Sequence, residues 1–254
     1  MPPPQRDLTI GLAIQVRTPN FWAQSAGTHP QTSQAPVIMS DDALRQPVPS
    51  APQKAAYHHG DLRAHLIATV RDLVEMHGPD GFSVAEAARR AGVSSAAPYK
   101  HFKDRHEILR GVVGEAMDRL RNAMLAGAAA HAPGSIDAVA AIGLAYVDFA
   151  RTEPGVFRLV FGLTEGHEDA PELMAKGDAC FAVVAQSVAD CLGLSPDTPE
   201  AQRRAYMLWS FVHGHSFLTI DMKHKVASAD IDDWDYLITV SRALLSPNAA
   251  ADPV

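Results

Sequence analysis

Apolar positions along this chain fall into blocks spaced by three and four residues, with polar turns between the blocks. The first clear block contains Leu62, Leu66, Ile67, Val70, Leu73 and Val74. It predicts an amphipathic helix with Asp61 as N-cap, ended by Gly78-Pro79. Phe82 then leads into Ser83-Val-Ala-Glu-Ala-Ala-Arg-Arg-Ala-Gly-Val-Ser94. Ser83 is placed to cap a second helix, and Glu86 three residues on completes a capping box. Val84, Ala87, Ala88 and Ala91 give that helix a narrow apolar face that another helix can approach closely. Gly92 suits the sharp turn that follows, Val93 plugs the corner, and Ser94 is expected to cap a third helix over about Ser95 to Phe102. Pro98 is tolerated in the first turn of that helix, and Phe102 is its one large inward anchor. A fourth helix starts near Asp104, with Ile108, Leu109, Val112, Val113, Ala116, Met117, Leu120 and Met124 on its buried side.

The same spacing predicts helices from Ile136 to about Glu153, Val156 to Gly162, Pro171 to Leu192, Pro199 to Asp221, and Asp232 to Leu245. No β-alternation and no Gly-rich phosphate loop interrupts them. The expected fold class is all-α: a three-helix helix-turn-helix head joined by the fourth helix to a C-terminal helical bundle. Residues 1–56 hold nine of the eighteen prolines and no sustained period, so they read as a disordered extension. Met39 offers a second sensible start. The organisation expected is therefore 1–56 extension, 57–103 head, 104–125 connecting helix, 126–246 regulatory and dimerisation domain, and 247–254 disordered tail.

Composition narrows the classes. A chain of 254 residues at 47% hydrophobic content can bury a substantial core. Two cysteines, Cys180 and Cys191, make no disulfide framework or metal-type spacing, so a reducing cytoplasm is expected. No apolar run reaches the length of a membrane span and no signal peptide is evident. The net charge of −7 is uneven: residues 1–56 and 57–125 each carry +1, and 126–254 carry −9. Acidity thus sits away from the head, whose positive charge must be local.

The helix-turn-helix is the unit that lays its second helix in the DNA major groove. An ordinary hairpin of a bundle can use the same Gly-Val turn, but here Tyr99, Lys100, His101, Lys103 and Arg105 follow within seven positions. A helix serving only to pack would carry more apolar residues and fewer donors. Other chemistry is poorly supported. His58-His59 with His65, or His213 and His215 with His224, lack a completing carboxylate or cysteine, and positions 213 and 215 face different sides of a helix. His213 and Asp221 are two turns apart, ~12 Å by rise, too far to act as an acid–base pair. Neither a metal site, nor a cofactor, nor an enzymatic centre is expected.

Residues 57–125 resemble the DNA-binding head of the tetracycline-repressor (TetR) family. The likeness rests on Gly-Phe-Ser-Val at 81–84, Ala-Gly-Val-Ser at 91–94, and Tyr-Lys-His-Phe-Lys at 99–103 leading into Asp-Arg-His-Glu-Ile-Leu. Trp209-Ser-Phe-Val-His-Gly214 is similar to the Trp…His-Gly signature of one C-terminal subgroup. The resemblance implies a homodimeric repressor that binds a pseudo-palindromic double-stranded operator and releases it when a small-molecule effector enters the C-terminal bundle. It assigns base edges to Ser95, Ala96, Ala97 and Lys100, and phosphates to Tyr99, His101, Lys103, Arg105, Ser83 and Ser94. It also implies an apolar ligand pocket from Met117, Tyr146, Phe149, Phe157, Phe161, Phe181, Trp209 and His213, with Gln186 or Arg158 as further polar contacts. The fourth helix would be its lever. The dimer seam is expected on the last two helices, through Ala205, Leu208, Trp209, Val212, Phe217, Trp234, Leu237, Ile238 and Leu245.

Overall fold

A computed structural model describes residues 62–162, 170–222 and 231–246; the expected N-terminal extension and C-terminal tail lie outside the described residues. Among the described residues there are eight α-helices, one short 3₁₀ turn and no strand. The head comprises α1 (Leu62–His77), α2 (Val84–Arg90), the 3₁₀ turn Pro98–Lys100 and the first turns of α3 (Arg105–Ala129). The bundle comprises the rest of α3 with α4 (Ile136–Thr152), α5 (Pro154–Phe161), α6 (Pro171–Leu192), α7 (Pro199–Ile220) and α8 (Asp233–Leu245).

The head forms around the inward stripe of α1, whose Leu66, Ile67, Val70, Leu73 and Val74 are fully buried with Ala87, Ala88, Phe82 and Phe102. Ser83 Oγ accepts the Glu86 N–H at 3.1 Å. The other half of the expected box is replaced by an ion pair, since the Glu86 carboxylate lies 3.5 Å from Arg90. Gly92 sits at φ 69, the left-handed corner that lets Val93 N–H reach back to the Ala88 carbonyl at 3.0 Å.

The third helix differs from expectation. Ala97 N–H bonds the Ser94 carbonyl at 2.9 Å, and the chain then makes one 3₁₀ turn at Pro98–Lys100 instead of an α-helix from Ser95 to Phe102. Ser94 therefore acts through its carbonyl, and the turn has no side-chain cap. Pro98 is the reason. It has no N–H to continue an α-type ladder back to Ser94, so that carbonyl is taken by the residue three positions on. A closely related cap holds α3, where Asp104 accepts the Glu107 N–H at 2.8 Å and Glu107 Oε2 reaches back one residue past the N-cap to accept the Lys103 N–H at 2.6 Å.

The bundle is built on α4, which touches α3, α5, α6, α7 and α8. A buried polar tie joins three of these helices. His215 Nε2–H on α7 donates to Asp233 at 2.8 Å, and the second oxygen of Asp233, on α8, pairs with Arg151 of α4. His215 also stacks on Tyr236 at 4.5 Å. The expected dimer seam is corrected here. Ala205, Leu208, Val212, Leu237, Ile238 and Leu245 are buried within the single chain, and Trp209, Phe217 and Trp234 pack against the same core. Apolar spacing identified the inward face of each helix; the monomer itself uses that face.

Candidate DNA-reading turn and ligand cleft

Pro98 and Phe102 are buried on either side of Tyr99 and Lys100, so these two residues are held outward; Tyr99 is 62% exposed. Ser83, Ser94, Ser95, Ala96 and Lys103 are exposed as well, and His101 is half-buried. Two of the expected DNA-facing residues turn inward. Ala97 packs against the core. Arg105 lays its guanidinium over the Phe82 ring at 4.6 Å and donates to the Pro79 carbonyl, with Asp80 at 4.0 Å. It ties the start of α3 to the α1–α2 loop. A cation the motif did not reveal is Arg63, exposed on the first turn of α1, with its guanidinium 5.2 Å from the Phe102 ring. Its nearness to the turn is tertiary and leaves no trace in local spacing.

Within the bundle a small apolar cleft with about 30 Å³ of open space lies between α3, α4, α5, α6 and α7. Its wall includes Met117, Tyr146, Phe161, Phe181 and Trp209 from the expected set, joined by Leu120, Met124, Gly177, Cys180 and Val184. Phe149, Phe157 and His213 stand behind that wall. Phe157 is fully buried, with the rings of Tyr146, Phe161 and Phe217 at 5.6, 4.8 and 5.1 Å. One turn separates Phe157 from Phe161, and only the latter, at the end of α5, reaches the open space. His213 Nδ1 lies 2.8 Å from the Tyr146 hydroxyl. Burial lowers the His213 pKa and raises that of the Tyr146 phenol, so both stay neutral near pH 7. Burial likewise pushes the Cys180 thiol up to about 11. The other polar candidates are engaged elsewhere: Gln186 donates to Asp190 at 2.8 Å and Arg158 to Asp221 at 3.0 Å. The five cleft residues absent from the expected set are aliphatic, sulfur-bearing or glycine, and in sequence they look like any core position.

No group of three His, Cys, Asp or Glu side chains converges to hold a metal among the described residues. His58, His59 and His224 lie outside them. No helix among the described residues is long and apolar enough to cross a membrane.

A helical head with an outward polar turn on a buried Phe anchor, set on a helical bundle, defines the class of helix-turn-helix DNA-binding regulators. Residues 66–112 match the profile described as bacterial regulatory proteins, tetR family, and residues 139–240 match the tetracyclin repressor-like C-terminal domain. The chain belongs to the TetR family of transcriptional regulators, which are DNA-binding proteins and not enzymes. No curated protein matches the chain. Among solved structures it is similar to a protein of unknown function from Rhodococcus sp. RHA1, at 28% identity and TM-score 0.63, covering 76% of this chain and 97% of that one. A tetR-family transcriptional regulator from Streptomyces coelicolor is similar at 17% identity and TM-score 0.61, over 77% of this chain and 85% of that one. The regulator FadR from Bacillus subtilis, solved in complex with stearoyl-CoA, is similar at 13% identity and TM-score 0.54, over 72% and 97%.

Proposed function

We propose that this protein is a ligand-responsive repressor that binds a pseudo-palindromic operator as a homodimer. The observation that carries the reading is the pairing of an outward Tyr99-Lys100 turn on a rigid anchor with an apolar cleft in the same chain. Ser95, Ala96 and Lys100 face base edges in this reading, with Lys100 suited to guanine O6 and N7 and the Ala96 methyl to thymine. Tyr99, His101, Lys103, Ser83 and Ser94 hold phosphates, and Arg63 joins them. Ala97 and Arg105 support the turn from inside.

One such turn offers few base contacts, so two heads must act together on successive grooves, ~34 Å or a multiple apart. The face of α7 opposite the monomer core supplies the seam. Tyr206, Met207, Phe211 and Leu218 are exposed there at helical spacing, and an added Cβ at Gly214, between them, would meet nothing within 4 Å. A second copy of the same helix fits an apolar stripe with a small residue at its middle. The ligand is a small, largely apolar molecule seated against Phe161, Phe181 and Trp209. FadR, whose likeness is one of fold, was solved with stearoyl-CoA.

The test is selection of a duplex from a random pool by the full-length protein, followed by mobility shift on single-base variants. Lys100→Ala is expected to cost about 1–3 kcal/mol on the selected duplex and to relax one base position in each half-site. Unchanged affinity and preference would remove the recognition turn from this role.

A further inference from the structure

The polar side-chain atoms of the cleft wall are already matched within the protein. The Tyr146 hydroxyl lies 2.8 Å from His213 Nδ1 and takes the Trp209 indole N–H as well. With its oxygen accepting from Trp209, the Tyr146 O–H donates to His213. The Cys180 thiol faces the Met117 carbonyl at 3.5 Å, and burial keeps it protonated near pH 7. Among the described residues no charged side chain lines the cleft. The ionised groups that act on Cys180 are Arg121, Asp118 and Lys176; Lys176 is paired with Asp118, Arg121 is exposed, and none of the three borders the open space. An ion entering the cleft would shed its water and find no counter-charge. A carbonyl or ether would find no unmatched donor.

The wall itself is made of flat and soft groups. Phe161 tilts against Tyr146 with ring centroids 5.7 Å apart, and Phe181 meets Trp209 edge to face at 6.3 Å. The sulfurs of Met117, Met124 and Cys180 complete it from α3 and α6. An aromatic ring has an electron-rich face and a positive edge, and polarisable sulfur sits favourably about 5 Å from a ring. Against this wall a benzenoid ring gains edge-to-face and sulfur contacts that a saturated ring of the same size does not. The floor is closed, because Leu120, Met124 and Tyr146 are buried. The half-buried members, Phe161, Cys180, Phe181 and Trp209, mark the mouth. With so little open space an extended chain has no way inward. A single ring is admitted by re-rotating the thioethers of Met117 and Met124, the adaptable members of the wall.

We infer that the effector is a compact neutral arene: one benzenoid ring bearing alkyl or halogen substituents and no ionised group. The inference rests on the cleft being the ligand site, and it deepens that reading by naming the class. Three properties of the wall select it together. The lack of a counter-charge rejects carboxylates and amines, the closed floor rejects long chains, and the rings and sulfurs favour an aromatic guest over a saturated one.

The experiment uses the full-length protein with methyl-labelled methionine, its selected duplex, and four probes of similar size: toluene, methylcyclohexane, benzoate and benzylamine. Toluene is expected to shift the Met117 and Met124 methyl resonances saturably through its ring current, and to lower duplex affinity at least tenfold at saturation. Methylcyclohexane should bind at least tenfold more weakly by titration of the same resonances. Benzoate and benzylamine should leave both methyls unmoved at the concentration where toluene saturates. Val184→Phe, which fills the cleft, should abolish the toluene shift; where that variant does not fold, Cys180→Leu serves, with at least a threefold loss of toluene affinity. Methylcyclohexane binding as tightly as toluene, or either charged probe moving the methyls, overturns the inference and leaves the cleft reading standing. Methyls that no probe moves, a toluene response that survives filling, or bound toluene with unchanged duplex affinity overturns the cleft reading and the inference with it.

Discussion

Lys103 and His213 show how differently two ionisable side chains serve one chain. Lys103 is exposed just beyond the Pro98–Lys100 turn, and in the function proposed above it meets a phosphate and no base. Lys103→Ala is therefore expected to weaken binding to all duplexes alike and to reduce the slope of log affinity against log salt by about 1. His213 is enclosed by the Phe161, Trp209 and Phe217 rings at 5.1, 5.4 and 4.9 Å. Burial lowers its pKa in the folded chain, so the unfolded chain binds more protons as pH falls. Its contribution to stability is present above the unfolded histidine pKa of about 6.5 and is lost as pH drops from there toward the folded value. Melting temperature measured from pH 7.5 to 5.5 should fall more steeply for the natural chain than for His213→Gln. At this scale the sequence marked the donors of the turn but not their direction. Ala97 and Arg105 turn inward because of Pro98 and the Phe82 ring, which are tertiary facts.

Helix boundaries were legible wherever capping residues and apolar spacing agreed. The spans of α6 and α7 follow Pro171 and Pro199 at their first positions, where a missing N–H costs nothing. The third helix was not legible, because its length depended on a single absent N–H at Pro98. For the aromatic residues, periodicity told which side of a helix is buried but not which buried ring borders empty space. Phe157 and Phe161 separate the two cases. Phe157→Ala removes a ring surrounded by five others and should cost about 3–5 kcal/mol in denaturant unfolding. Phe161→Ala should cost less, since its ring already borders open space, and should blunt the DNA-release response to cleft filling. Equal unfolding costs would mean the cleft is closed in solution.

Over the whole molecule, charge and apolar surface are divided by task. The acidic excess belongs to the C-terminal half, and the exposed apolar stripe of α7 lies on that half. Spreading acid around a seam still leaves its centre free to desolvate, as association requires. Phe211→Asp should convert a dimer to monomers by sedimentation and abolish tight binding to the full palindrome. Helical content should hold, because Phe211 supports no part of the monomer core. A variant that remains dimeric would move the seam off α7.

The unbroken course of α3 from head to bundle carries an angular consequence. Each residue of an α-helix advances the chain about 1.5 Å and rotates it by about 100°. One alanine inserted between Gly114 and Ala116 would thus swing the recognition turn about 100° around the bundle while leaving both halves their own cores. Four inserted residues would bring the phase back to within about 40° but lift the head by about 6 Å, off the first turn of α5. Chimeras that exchange heads between relatives should accordingly work when the splice keeps the residue count of α3, and fail with a period close to 3.6 when it does not.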